Sequence, residues 1–137
     1  MTAIAFYITG HGFGHAVRSY QVIRALKKAV PQWQIHVRTT APKWLFQDPS
    51  APVAYHQIKL DIGIIQKDSL AMELTETLRS CRDLHEQLSS LIASELAFLR
   101  QHRIALIASD IPPLGFEVAA QAKIPSIAIT NFAWNWI

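Results

Sequence analysis

Cysteine and long apolar runs are scarce in this sequence, and each scarcity excludes a class of protein. Cys81 is the only cysteine among 137 residues, which rules out a disulfide framework and a thiolate metal cluster. A reducing, cytoplasmic setting is therefore expected. No apolar run approaches the ~18 residues that a membrane-spanning helix requires. Residues 1–9 have no basic leader and no cleavage site, so no signal peptide is expected.

Charge is unevenly divided along the chain. Apolar residues make up 50% of the sequence and charged residues 17%, which predicts one folded domain over residues 1–137. Residues 1–60 contain seven Lys or Arg against Asp48 alone, whereas residues 61–137 contain six against nine acidic residues. The basic part would suit an anionic ligand or an acidic membrane surface, and solvated helix faces are the alternative. No block of five like charges indicates nucleic-acid binding.

Short apolar runs alternate with helical periodicities. Such alternation is typical of a parallel sheet with helices on both faces, and it predicts an α/β fold with a Rossmann-like, doubly wound sheet. The predicted strands are residues 3–9, 34–39, 53–58, 104–108 and 125–130. The predicted helices are residues 16–28, a short one at 43–46, 70–100 with a break near 80–82, and 114–122.

The carboxyl ends of parallel strands meet at one edge of a sheet, and ligands of such sheets bind outside that edge. The rule selects four segments of this chain as one surface. They are residues 10–15, 39–43, 109–114 and 130–136.

Three of the five glycines stand in the segment GHGFGH at residues 10–15, between the first strand and the first helix. Glycine permits positive φ and close backbone approach, and the helix start offers free N–H groups to an anion or a polar sugar. The segment is not a dinucleotide fingerprint, because His15 stands where glycine is required and Arg38, not an acidic residue, ends the second strand. Binding of a phosphorylated ribose through Arg38, as in an NADP domain, is an open alternative.

Two histidines and a carboxylate could carry acid–base chemistry at this edge. His11 and His15 flank the turn, and a histidine there can act as a general base near neutral pH or simply bond loop carbonyls. A metal would need a third ligand. Asp110, after Ser109, could orient an imidazole as in the second link of a triad, or the pair could cap a turn or helix.

The segment NFAWNW at residues 131–136 follows the last predicted strand. Its aromatic and amide side chains suit sugar stacking and hydroxyl recognition. The alternative is the apolar start of a helix, or a surface that another domain covers. No Asp-x-Asp occurs, so a carboxylate site for a metal diphosphate is not expected.

Residues 6–26 and 106–137 resemble the amino-terminal half of GT-B glycosyltransferases. The GHGFGH opening, the Ser-Asp pair and the Thr-Asn-Phe-x-Trp segment carry the resemblance. The similarity is strongest to a subgroup with this opening, and plant arabinose kinase carries a similar domain ahead of its sugar-kinase part. The resemblance implies a Rossmann-like domain that binds the acceptor, facing a second domain that binds a nucleotide sugar.

The resemblance also implies roles for individual residues. His15 would deprotonate the acceptor hydroxyl and Asp110 would support it, in an inverting transfer without metal or cofactor. The acceptor, in some relatives phosphate- or lipid-bearing, would contact the glycine-rich loop and its neighbours. The implied acceptor-binding residues are Gly10, His11, Gly12, Phe13, Gly14, Ser109, Asn131 and Trp134.

The chain has no counterpart of the donor-binding domain, so the expectation is a domain inactive by itself, with peripheral membrane contact and self-association as further options. The alternative is a non-catalytic sugar-binding or regulatory module of a sugar kinase.

Overall fold

The computed structural model describes residues 1–63, 65–68 and 70–130, and these form one five-stranded parallel sheet with helices on both faces. The strands are β1 (Ala3–Ile8), β2 (Gln34–Thr39), β3 (Ala54–Gln57), β4 (Ile104–Asp110) and β5 (Ser126–Ala128). The helices are α1 (Gly14–Ala29), α2 (Leu74–Glu86), α3 (Leu88–Gln101) and α4 (Pro113–Ala122), with a 3-10 helix at Lys43–Phe46. In this part of the chain no helix is long and apolar enough to cross a membrane.

The sheet order is β3-β2-β1-β4-β5, so the predicted doubly wound α/β fold is confirmed. From β1 the chain moves outward to β2 and β3, then crosses back to β4 on the other side of β1. The crevice between the carboxyl ends of β1 and β4 is therefore the topological switch point, where ligands of this fold class bind. Ile8 lies in register with Asp110 at that point.

Strand β1 is buried on both faces, which explains its uninterrupted apolar sequence. Because side chains alternate along a strand, Ile4, Phe6 and Ile8 join the core under α1. Ala3, Ala5 and Tyr7 join the opposite core, under α3 and α4. The sequence pattern thus fixes a central strand and two helical layers.

Two boundaries differ from the sequence prediction in the helical region. The helix starts at Leu74, not at residue 70, because the Asp68 carboxylate accepts hydrogen bonds from the backbone N–H groups of Leu70 and Ala71 and holds a turn there. The break lies at Gln87, not near residues 80–82. The Gln87 N–H bonds to the carbonyls of both Asp83 and Leu84, which tightens the end of α2.

A buried ion pair locks β2 onto the α3 layer. Glu95 of α3 is fully buried and accepts hydrogen bonds from the Tyr7 hydroxyl and Arg38 Nε, each at 2.6 Å, with a further ion-pair contact to Arg38 Nη2. The Arg38 guanidinium also stacks on Phe98, with Cζ 3.8 Å from the ring centre. Burial, then the Glu95 charge and hydrogen bond, raises the pKa of the Tyr7 hydroxyl. The phosphorylated-ribose alternative is therefore wrong, because Arg38 is buried and already paired.

The basic first part of the chain is partly neutralised by the acidic second part. Arg18 pairs with Asp110 and Arg38 with Glu95, so two of its seven cations find carboxylates beyond residue 60. Arg24 pairs with Asp48 at 3.1 Å on the surface. Charge asymmetry along the sequence thus reflects internal pairing at these positions, and it gives correspondingly less support to an anionic partner.

Three histidines meet at the amino-terminal side of β2. His36 Nδ1 lies 3.0 Å from His56 Nε2, and the rings of His36 and His102 are 4.5 Å apart. Burial, with the nearby His102, His56 and Arg38, lowers the pKa of His36 from 6.5 to about 4. Burial lowers the pKa of His56 as well.

These lowered pKa values predict a loss of stability on acidification. In the unfolded chain His36 takes up a proton below pH 6.5, whereas in the folded chain it does so only below about pH 4. The free energy of unfolding therefore falls as the pH is lowered across that window. Urea unfolding should show that protonation of His36 lowers the free energy of unfolding by up to roughly 3 kcal/mol, at 1.36 kcal/mol per pKa unit. His36→Phe should flatten the pH dependence, and His85→Gln, at an exposed position on α2, should not. If the free energy of unfolding changed equally steeply with pH in the His36→Phe variant and in the original chain, the prediction would be contradicted.

Candidate functional site

His15 and Asp110 meet at the switch point, as the sequence predicts for the ends of neighbouring elements. His15 lies in the first turn of α1 and Asp110 is the last residue of β4. The His15 Nδ1 atom is 2.8 Å from Asp110 Oδ1. The His15 side chain is one-third exposed, at 33%, while that of Asp110 is 1% exposed. The pair thus combines a buried carboxylate with an imidazole that solvent can reach.

Asp110 also binds two residues that the sequence reasoning did not identify. Arg18 Nε donates to Asp110 Oδ2 at 3.1 Å, and Ser19 Oγ donates to the same oxygen at 2.7 Å. The signal was present, because positions 15, 18 and 19 lie on one face of a helix. Strand β4 extends to Asp110 instead of stopping at residue 108, and this extension brings the carboxylate under that face.

The tautomer of His15 follows from these contacts. An ionised carboxylate only accepts hydrogen bonds, whereas Arg18 Nη2, 3.3 Å from the same Nδ1 atom, only donates, so these two neighbours favour opposite tautomers. The contact with Asp110 is the shorter, at 2.8 Å, and it assigns the proton to Nδ1. In the neutral ring Nε2 is then the unprotonated nitrogen. A carboxylate that holds Nδ1–H also stabilises the imidazolium that forms when Nε2 takes a proton.

Two of the three glycines in the glycine-rich loop cannot readily be replaced, one because of its backbone conformation and the other because of close packing. Gly12 has a φ of +73°, in the region where side chains are strained. A Cβ at Gly10 would overlap the Thr40 side chain, because the loop passes close to the end of β2. Gly14 is the first residue of α1 and has nothing within 4 Å of its Cβ position.

An exposed aromatic pair borders the loop. Phe13 precedes α1 and meets Trp44 of the 3-10 helix edge to face, with ring centres 5.8 Å apart. The two residues stay 55% and 61% exposed. Trp44 was not among the residues singled out from the sequence, although it directly follows the predicted edge segment 39–43. Exposed aromatic faces of this kind can stack on a sugar ring or pack on an apolar group.

Three other predicted acceptor residues cannot be placed beside the loop. Ser109 has no exposed surface, and its hydroxyl donates to the Pro112 carbonyl at 2.9 Å. That geometry gives Ser109 a structural contact at the start of α4, and we propose no ligand role for it. Asn131 and Trp134 lie outside the described residues.

A cavity of about 280 Å³ adjoins the loop. Its polar lining includes His11, Thr40, Lys59 and Asp61, with Gly10 and Gly63 exposing backbone. Burial raises the pKa of Asp61, and a hydrogen bond with the Thr9 side chain and the charges of His15 and His11 offset this only in part. The segment that holds Asp61 has no periodicity and is predicted to be an irregular loop, so no pattern in the sequence singles out this carboxylate.

A second and larger cavity, of about 660 Å³, lies between α2, α3 and α4. Its lining is mostly apolar, with Leu60, Leu88, Ile92 and Leu114 among the contributors. Leu60 precedes Asp61, so the two cavities open on either side of the same loop. Across the described residues, no group of three or more His, Cys, Asp or Glu side chains could hold a metal ion.

Comparison with known proteins identifies one curated relative and a set of shared folds. The chain is 32% identical over 136 residues to "L-arabinokinase" of Arabidopsis thaliana, a match that covers 97% of this chain and 13% of that protein. No family model matches the sequence.

Solved structures share the architecture at low sequence identity. A UGT transferase from Siraitia grosvenorii in complex with UDP superposes with a TM-score of 0.60 at 17% identity, over 95% of this chain and 28% of that one. MurG of Acinetobacter baumannii superposes with a TM-score of 0.54 at 13% sequence identity, over 93% of this chain and 35% of MurG. The carboxyl-terminal domain of the PF1911 hydrogenase from Pyrococcus furiosus superposes with a TM-score of 0.58 at 11% sequence identity, over 94% of this chain and 91% of that domain.

These likenesses support the fold, and the last shows that the fold alone does not select a chemistry. The chain spans about an eighth of the curated relative and roughly a third of the transferases. The chain therefore has the Rossmann-like fold of GT-B glycosyltransferases and is similar, over nearly its whole length, to a segment of a plant arabinokinase.

Proposed function

We propose that this chain is the acceptor-binding domain of an inverting, metal-independent glycosyltransferase that uses a nucleotide-sugar donor. The observation that carries the proposal is the 2.8 Å contact between His15 and a buried Asp110 at the switch point of the sheet. The fold shared with UDP-bound transferases supports it. The donor would be held by a domain outside this sequence, and the chain would have no turnover by itself.

In the proposed reaction His15 is the general base. Its Nε2 takes the proton of the acceptor hydroxyl while the hydroxyl oxygen attacks the anomeric carbon of the donor sugar. The bond from that carbon to the nucleoside diphosphate breaks, and the diphosphate leaves with the electron pair. A single displacement of this kind inverts the anomeric configuration. Asp110 keeps the ring oriented and stabilises its protonated form.

Arg18 and Ser19 act as positioning residues in this proposal. Each donates a hydrogen bond to Asp110 Oδ2, and Arg18 Nη2 also donates to Oδ1, the oxygen that contacts His15. A base held in one orientation loses less entropy on reaching the reactive geometry. The predicted cytoplasmic location, peripheral membrane contact and self-association remain predictions.

A second candidate function is a non-catalytic sugar-binding or regulatory module of a sugar kinase. The observation that favours it is the similarity to a segment of L-arabinokinase over 97% of this chain. The same loop and cavity would then bind a sugar without transfer, and His15 would be a hydrogen-bonding group.

The two candidates separate in one experiment. The full-length protein that contains this chain is incubated with radiolabelled UDP-sugars and a panel of sugar acceptors, and transfer is followed by chromatography. Transfer with inversion supports the acceptor-domain proposal. Saturable binding of a free sugar with no transfer from any donor supports the module.

A further inference from the structure

We propose that the cavity beside the glycine-rich loop binds a single uncharged sugar ring, with Asp61 accepting and Lys59 donating hydrogen bonds to its hydroxyls. The proposal rests on the proposed function only in taking the ligand to be a sugar, and it adds the charge class of that ligand and two residues that select it. The cavity volume of about 280 Å³ is near the lower end of ligand sites, which suits one ring and not a disaccharide.

The charges of the lining argue for a neutral ligand. Lys59 and Asp61 contribute one positive and one negative charge to the same cavity. A phosphate that approached Lys59 would also meet the Asp61 carboxylate of the same lining, and the repulsion between these like charges would offset the gain. A hydroxyl can donate to Asp61 and accept from Lys59, so a ring with neighbouring hydroxyls satisfies both groups.

Asp61 is positioned to act on a ligand. The Asp61 carboxylate has a hydrogen bond with the Thr9 side chain. Because a carboxylate can accept about four hydrogen bonds, acceptor sites remain for ligand hydroxyls. Its partial burial strengthens each such bond, because fewer water molecules compete for the carboxylate. Ile62 and Ile65 supply apolar surface against which the C–H groups of a ring can lie.

His11 closes the cavity on the loop side. A Cβ at Gly63 would run into the His11 imidazole, so the absence of a side chain at Gly63 is what lets His11 pack there. The His11 backbone N–H donates to Thr9 Oγ1 at 3.3 Å, which ties the loop to the residue that contacts Asp61. His11, a predicted acceptor-binding residue, thus lines this cavity, while His15 contacts Asp110.

Isothermal titration of the purified chain tests the proposal. The ligands are five free aldoses (D-glucose, D-galactose, D-mannose, D-xylose and L-arabinose), D-glucose 1-phosphate and inorganic phosphate. We expect saturable binding of at least one free aldose and weaker binding of both phosphates. Tighter binding of D-glucose 1-phosphate or inorganic phosphate than of every free aldose would overturn the proposal, as would no saturable aldose binding.

Variants tie the binding to the cavity. Asp61→Asn and Lys59→Gln should each weaken aldose binding about tenfold or more, the usual cost of losing a hydrogen bond to a charged group. Asp83→Asn and Lys28→Gln, at exposed helix positions, make the same charge changes and should bind as the original chain does. Thermal unfolding shows that each variant is folded. Unchanged aldose affinity in folded Asp61→Asn would overturn the proposal.

His15→Gln separates this inference from the proposed function. It should slow transfer by the full-length protein about 10²–10⁴-fold. If Asp61→Asn binds and transfers normally while His15→Gln does not transfer, the inference fails alone. If Asp61→Asn loses aldose binding while His15→Gln transfers normally, the proposed catalytic role fails and the cavity assignment stands.

Discussion

Under the proposed function, His15→Ala is expected to slow sugar transfer by the full-length protein about 10²–10⁴-fold, the usual contribution of a general base. The physical reason is that Nε2 would no longer take the proton of the acceptor hydroxyl as the new bond forms. Because the substitution removes the base and leaves the loop and the cavity in place, the loss should fall mainly on kcat and not on KM. Steady-state kinetics with a labelled nucleotide sugar measure both constants.

The fold should survive this change. Asp110 keeps its hydrogen bonds from Arg18 and Ser19 when the imidazole is removed, so no buried carboxylate is left without a donor. His85→Ala, at an exposed position on α2, is the matched control and should transfer at the original rate. Full activity of His15→Ala, with the control also active, would remove His15 from the mechanism.

Glu95→Ala is expected to destabilise the domain by about 3–5 kcal/mol, the range found when one partner of a buried ion pair is removed. The Arg38 guanidinium, only 6% exposed, would be left in the core without its carboxylate. The Tyr7 hydroxyl would lose its acceptor as well. Such a loss is a large share of the 5–15 kcal/mol that typical domains possess, so urea unfolding should show a much lower midpoint.

Two controls identify the cause. Glu86→Ala removes a carboxylate from the exposed surface of α2 and should change the free energy of unfolding by less than about 0.5 kcal/mol. Arg38→Met combined with Glu95→Leu removes both charges and should recover much of the lost stability, because no unpaired ion remains. A loss below 1 kcal/mol in Glu95→Ala would contradict the described pairing.

The order and type of the elements could be predicted because local pattern determines them. β1 is apolar throughout since helices cover both of its faces, and β2 was predicted at its observed bounds. The meeting of His15 and Asp110 was also foreseeable, because topology alone brings the carboxyl ends of neighbouring parallel strands together. Local pattern placed the helix break wrongly, since Ser80 and Cys81 are tolerated inside an exposed helix and the backbone turns at Gln87.

The sequence alone determined a doubly wound α/β domain and the edge of its sheet at which ligands of this fold class bind. Only the tertiary structure decided what each polar group does there. Arg38, a candidate ligand residue in the sequence, is buried against Glu95, 57 positions further along the chain. Arg18 reaches Asp110 across 92 positions, and Asp61 joins the cavity from a loop without periodicity. Periodicity reports which face of an element is buried, whereas the partner of a charged side chain depends on which distant elements pack against it.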